Sequence, residues 1–197
     1  MKVIYTDNNA TTQVADSVIE EMMPYFGEFY GNPSSMHTFG DEVGKKVKQA
    51  RQRVADLINA EPDEIVFTSC GTESDNAAIN AAIKAFPEKK HIITSTGEHP
   101  AVKNLFSHLA KTQGYEVTFV PVDKKGRLDT DVLYESMSEN TALISLMWAN
   151  NETGVIFPIE EVARRANERG ILFHTDAVQA TGKIDIDVKK TGENMLS

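Results

Sequence analysis

The chain has 197 residues, 41% hydrophobic and 25% charged, enough to bury the core of one α/β domain. Its 29 acidic residues outnumber 20 basic ones, and the net charge of −9 argues against a nucleic-acid partner or an anionic membrane surface. The single cysteine, Cys70, excludes an intrachain disulfide and a metal site built from several cysteines, and it fits a reducing compartment.

The opening Met1-Lys2-Val3-Ile4-Tyr5-Thr6-Asp7 turns polar at once, unlike a signal peptide. The longest apolar stretch, Ala142 to Ala149, is interrupted by Ser145 and falls far short of a membrane span. A cytoplasmic protein is the default expectation, and no residue set is singled out as a metal site.

No internal repeat or low-complexity segment is present. Val14, Val18, Met22 and Phe26 step by four and predict a first helix ending near Gly27. Gly31-Asn32-Pro33-Ser34-Ser35 reads as a loop. Phe39, Val43, Val47, Ala50, Val54 and Leu57 predict a long amphipathic helix. Lys45, Lys46, Lys48, Arg51 and Arg53 form its basic face, read as a solvated surface. Glu64 to Thr68 is expected as a short strand, and the Ala-rich run Asn76 to Phe86 as a helix able to pack closely on a sheet.

Strands are expected at His91–Ser95, Tyr115–Val120 and Ala142–Met147, with helices at Val102–Leu109 and Asp129–Met137. A helix over Pro158–Arg169 starts on a proline, as a first turn allows, and ends at Gly170. Ile171, Leu172 and Phe173 have no alternating polar partner, so both faces of the strand they begin are expected to be buried. This alternation predicts an α/β fold with a mostly parallel central sheet, helices on both faces and a helical segment before it. The expected division is an N-terminal segment, 1–15, and a large domain, 16–197.

Polar residues gather at the expected strand ends. Asp176 closes the last of these strands, where open α/β sheets bind ligands, and Gln179 follows three residues on. The same pair also reads as a capping box opening a helix. Gly71-Thr72 lies before the Ala-rich helix and suits either a simple cap or a phosphate seat on the helix dipole. Glu73 must then point away from a phosphate. His99 suits a capping histidine or a flat plate against an aromatic ring. Asn150-Asn151-Glu152-Thr153-Gly154 reads as a turn or as an anchor for a ligand oxygen. A phosphate seat, an aromatic plate, an amide and a carboxylate on one sheet edge together match pyridoxal phosphate, whose ring nitrogen a carboxylate keeps protonated.

Six motifs carry a resemblance that runs collinearly over almost the whole chain. They are Tyr5-x-Asp7-Asn8-Asn9-Ala10-Thr11-Thr12, Gly31-Asn32-Pro33-Ser34-Ser35-x-His37 and Gly71-Thr72-Glu73-Ser74-Asp75-Asn76, then Glu98-His99, Asn150-Asn151-Glu152-x-Gly154 and His174-x-Asp176-Ala177-x-Gln179. Together they resemble cysteine desulfurases of the NifS/IscS type, fold-type I pyridoxal 5'-phosphate enzymes related to class V aminotransferases.

The resemblance implies that Gly71 and Thr72 hold the cofactor phosphate and that His99, also the implied catalytic residue, stacks on the ring. It implies that Asp176 pairs with the ring nitrogen, that Gln179 bonds the phenolic oxygen, and that Asn151, rather than Asn150, reaches that region and the substrate carboxylate. The implied reaction takes sulfur from L-cysteine, leaving alanine and an enzyme persulfide for iron–sulfur cluster assembly, with a scaffold protein as acceptor and a homodimer as the working form.

The family's Schiff-base lysine is expected about five residues beyond Ser197, and the sulfur-accepting cysteine and substrate-binding arginine further on. Lys183 is read as a surface lysine and Cys70 as structural, so neither replaces them. Rival readings are a selenocysteine lyase or another class V enzyme, a non-catalytic fragment, and a dinucleotide-binding module, which would need a Gly-x-Gly-x-x-Gly that is absent.

Overall fold

The computed structural model describes residues 3–197. Met1 and Lys2, which begin the polar opening, lie outside the described residues. By compactness the chain forms two units, Met1–Leu57 with Glu61–Ile65, and Ile58–Ala60 with Val66–Ser197.

The first unit is helical. Its predicted leading helix is broken in two, α1 over Asp16–Met22 and α2 over Pro24–Gly27. Pro24 has no N–H to continue α1, yet suits the first turn of α2. The stripe read from the four-residue spacing is not a buried one: Val14, Val18, Met22 and Phe26 are all exposed. The long helix forms as α3, Thr38–Ile58. Val43 and Ala55 are buried on it, while Val54 and Leu57, expected in the core, are exposed. The Gly31–Ser35 loop lies hard against α3, since a Cβ on Gly40 would meet Asn32 O and Ser35 Cβ, each at 2.7 Å.

The strand expected at Glu64–Thr68 does not form. Pro62–Glu64 makes a single 3-10 turn instead, with the Glu61 N–H donating to Glu64 Oε2 at 2.8 Å. Val66 and Phe67 beyond it are exposed and belong to no strand. Apolar content alone does not make a strand without a ladder partner.

The second unit holds a five-stranded, all-parallel sheet. The helices and strands run α4 Gly71–Ala85, β1 His91–Ser95, α5 Pro100–Gln113, β2 Glu116–Val120, α6 Thr130–Ser136, β3 Thr141–Met147, α7 Ile159–Glu168, β4 Leu172–Asp176, α8 Val188–Thr191 and β5 Met195–Leu196. The order across the sheet is β2-β1-β3-β4-β5. The short α8 and β5 were not anticipated from hydrophobic spacing.

Alternation along the strands builds a core on each face. Ile92 and Leu143, with partly buried Val117 and Leu172, face α4 and α5, which contribute Ile79, Ile83, Val102, Phe106 and Leu109. The next register row, Ile93, Ile144 and Phe173, is fully buried on the opposite face. There α7, packed on β4, supplies Val162, Ala163 and Ala166. Burial on both faces is why β3 is apolar along most of its length.

Candidate functional site

In the order β2-β1-β3, the chain leaves β1 toward one edge of the sheet and resumes at β3 on the other side. Loops that diverge this way open a crevice at the carboxyl ends of their strands. Register pairing of β1 with β3 stops at Ile93↔Ile144, whereas β3 and β4 stay paired to Met147↔Asp176. Beyond that point β1 and β3 part.

The loops meet at this rim. The Trp148 N–H donates to the Asp176 carbonyl at 2.8 Å. Asn150 Nδ2 donates to the Gly97 carbonyl at 3.0 Å, tying the loop after β3 to the loop after β1. A Cβ on Gly71 would stand 3.0 Å from Val178 Cγ2, so the start of α4 approaches the turn after β4 closely and a side chain there would be crowded. His99 acts electrostatically on Asp176.

Asp176 is buried at the end of β4, and its Oδ1 accepts the Val178 N–H at 3.0 Å. No other hydrogen bond among the described residues reaches the carboxylate. No helix opens here, because Ala177–Ala180 form a turn, so the capping-box reading of Asp176 and Gln179 fails. Gln179 is half-buried, and its Oε1 accepts Lys183 Nζ at 2.6 Å. Lys183 is exposed as anticipated, yet it touches a member of the set.

His99 is the N-cap of α5, its Nδ1 accepting the Ala101 N–H at 3.2 Å. The capping reading therefore holds, with Nδ1 engaged by the backbone and Nε2 on the other edge of the ring. Gly71 and Thr72 open the 15-residue α4, whose N-cap, Cys70, makes no side-chain capping bond. The exposed Cys70 thiol is held below its usual range, chiefly by the Glu73 N–H and then by the Ser69 hydroxyl. Glu73 folds back, Oε2 taking both the Ser69 N–H at 2.6 Å and its hydroxyl at 2.5 Å, and this turns its charge to the side.

Asn150 and Asn151 differ sharply. The Asn150 side chain is fully engaged: Oδ1 accepts from Glu152 N, Thr153 N and Thr153 Oγ1, while Nδ2 is spent on Gly97. Among the described residues, the Asn151 side chain hydrogen-bonds only to its neighbour, Nδ2 donating to Glu152 Oε1 at 3.0 Å.

Three buried groups that residue patterns did not single out surround the set. Glu98 is 2% exposed and accepts from Ser95 Oγ at 2.6 Å and from Met147 N at 2.9 Å. Asp75, one turn into α4, is also 2% exposed, with Oδ1 lacking a hydrogen bond. His174 lies between Ser145 Oγ at 2.9 Å and Ser197 Oγ at 3.0 Å. All three stand in motifs quoted from the sequence without a role assigned to them, and only His174 also shows as a polar residue inside an apolar run.

Burial, with a smaller contribution from the Asp176 charge, pushes Glu98 up to about 8 and Asp75 up to about 7. Burial lowers His174 to about 4, so it is neutral, and its 3.6 Å approach to Asp75 is not an ion pair. Asp176 is raised by burial but held down by the Val178 N–H and His99. All three carboxyl groups are raised by burial, and Asp176 differs in that its electrostatic neighbour, His99, offsets part of the rise. A buried carboxylate with an oxygen to spare, beside a helix start without a side-chain cap, fits a ligand with a cationic ring nitrogen and an anionic phosphate. The residues therefore fit pyridoxal phosphate. Among the described residues, no group of three His, Cys, Asp or Glu side chains is placed to hold a metal ion.

Residues 4–197 match the family model described as aminotransferase class-V. The chain is 58% identical over 197 residues to a cysteine desulfurase of Nostoc sp., covering all of this chain and 49% of that protein. It is 56% identical over 198 residues to the cysteine desulfurase NifS of Azotobacter vinelandii, covering all of this chain and 49% of that one. A solved structure described as SspA in complex with cysteine superposes with a TM-score of 0.92 at 40% identity, over 98% of this chain and 56% of that chain. The chain spans about half the length of the curated relatives it matches.

Proposed function

Because the chain belongs to the aminotransferase class-V family, we propose that it forms the cofactor-holding part of a pyridoxal 5'-phosphate-dependent cysteine desulfurase. The observation that carries the reading is Asp176, a buried carboxylate at the switch-point rim beside His99 and the start of α4. The substrate is L-cysteine, the products are alanine and sulfur passed to an enzyme cysteine, and the sulfur serves iron–sulfur cluster assembly through a scaffold protein. The working form is a cytoplasmic homodimer, with residues 16–197 as the cofactor domain and 1–15 as its leading segment. Among the described residues no helix is long and apolar enough to cross a membrane.

When bound, pyridoxal phosphate supplies an electron-accepting ring. The chain's own residues do the rest. The N–H groups of Gly71 and Thr72, with the Thr72 hydroxyl, hold the phosphate at the positive end of α4. Asp176 keeps a proton on the ring nitrogen by charge pairing in a buried setting. His99, oriented by its bond from the Ala101 N–H, would lie against the ring face. Gln179 and Asn151 reach the phenolic oxygen and the substrate carboxylate, Gln179 after release from Lys183. The lysine that bonds the cofactor and the cysteine that takes sulfur are assigned outside these 197 residues.

Titrating this chain with pyridoxal phosphate while following Trp148, the single tryptophan, tests the site. Saturable quenching that Asp176→Asn weakens about tenfold or more is expected; no quenching, or quenching indifferent to that change, overturns it. Borohydride should trap no lysine adduct and L-cysteine should release no sulfide from this chain alone. Either signal would return Lys183 to the mechanism.

A further inference from the structure

We propose that Glu98 is a positioning residue whose carboxyl group locks the loop after β1 to the loop after β3 and so sets the spacing between His99 and Asn151. The proposal rests on the cofactor site described above and adds the residue that holds two of its loops in register.

The lock stands where the sheet itself stops holding. Past Ile93↔Ile144 there is no β1–β3 pairing, so the backbone groups of Ser145 and Met147 on that side need other partners. Side chains of the β1 segment supply them: Thr94 Oγ1 donates to the Ser145 carbonyl at 2.9 Å, and Glu98 Oε2 accepts the Met147 N–H at 2.9 Å. The other Glu98 oxygen takes the Ser95 hydroxyl at 2.6 Å, and Ser95 Oγ also accepts the Gly97 N–H at 3.1 Å. Gly97 in turn offers its carbonyl to Asn150 Nδ2 at 3.0 Å. Glu98 and Asn150 thus bridge the same two loops from opposite ends, each one residue before an expected ligand contact.

The two-oxygen end is what the position requires. One oxygen must accept the Met147 N–H, and the other must meet the Ser95 hydroxyl. Burial raises Glu98 most, the Ser95 hydroxyl and the Met147 N–H work against that rise, and the charged groups that act on it, Asp176 from β4 and Asp75 from α4, add to it. With its carboxyl raised to about 8, Glu98 is mostly protonated at neutral pH, and in that form its O–H can be the donor of the Oε1–Ser95 Oγ bond while Oε2 accepts from Met147. Glutamine reproduces that pattern, with its oxygen on Met147 N–H and its amide on Ser95 Oγ. Alanine leaves both partners unpaired.

Three variants of the 197-residue chain test the lock: Glu98→Gln, Glu98→Ala and Ser95→Ala. Hydrogen exchange without cofactor reads it directly. The Met147 and Gly97 amides should stay protected in Glu98→Gln, Met147 should exchange faster in Glu98→Ala, and Gly97, whose own acceptor is removed, should lose most protection in Ser95→Ala. With pyridoxal phosphate, Trp148 quenching should give Glu98→Gln an affinity within about twofold of the parent and Glu98→Ala one about tenfold weaker. Glu98→Ala with parental Met147 protection overturns the lock, and so does Glu98→Gln as impaired as Glu98→Ala. If Glu98→Ala does not fold, the comparison of Glu98→Gln with Ser95→Ala decides by the same rule. A parent that binds no pyridoxal phosphate would sink the cofactor site alone, since the exchange measurement still judges the lock.

Discussion

Cys70 and Asp176 show how far a single residue's surroundings set its chemistry. The Cys70 thiol is exposed at the start of α4, where backbone N–H groups favour the thiolate. Alkylation by iodoacetamide should therefore show a pH midpoint below that of a free cysteine thiol. A midpoint at or above the free value would mean that the thiol does not face those N–H groups. Asp176 was legible as the end of a buried strand because it closes an apolar run, and His99 as a cap because it stands just before an expected helix. Glu98, in the same motif as His99, gave no sign of its own. Its importance comes from Ser95 and from Met147, 49 residues away in sequence, and no local pattern encodes that distance. The choice of Asn151 over Asn150 rested on spacing, and the structure adds a reason, since Asn150 has no hydrogen-bonding capacity left for a ligand.

At the level of elements, the α4–α5 face of the sheet depends on large side chains with no access to solvent. Phe106→Ala, at a fully buried position in α5, should cost about 3–5 kcal/mol in urea unfolding. Gly40→Ala should destabilise by about 1–3 kcal/mol in the same assay, because its Cβ would meet backbone and Cβ atoms of the Asn32–Ser35 loop at 2.7 Å. A cost below about 0.5 kcal/mol would show that this loop yields freely. The strands β1 to β4 were readable because burial on both faces leaves uninterrupted apolar runs with polar ends. Val66 and Phe67 had the same local composition but form no strand. The α1 stripe failed differently: four-residue spacing marks an apolar face without saying what covers it, and Pro24 ended the helix early. The short β5 was invisible because two residues hold no period, and backbone pairing to β4 creates the strand.

For the whole molecule, the buried titratable groups predict the pH response of stability. Glu98 and Asp75 have folded values raised to about 8 and about 7 from ordinary values of 4.5 and 3.8. The folded chain thus binds more protons than the unfolded one across that interval, and stability falls as pH rises through it, by up to about 1.4 kcal/mol per pH unit for each group still protonated. His174 acts oppositely. Its folded value of about 4 lies below the ordinary 6.5, so stability is lost as pH drops through that range. Melting temperature should therefore decline as pH rises from about 5 to 8, since below 6.5 His174 offsets only one of the two carboxyl groups. Glu98→Gln should flatten the alkaline decline. An unchanged slope in that variant would show that Glu98 ionises freely in the fold.

The parting of β1 from β3 beyond Ile144 has a consequence for how such a rim changes over generations. Ladder bonds are made by backbone and cannot be edited one at a time. The stitches that close this gap belong to Thr94, Ser95, Glu98 and Asn150, and each can be replaced by one codon change. The crevice can thus be retailored for a different occupant while the strand order beneath it is inherited intact.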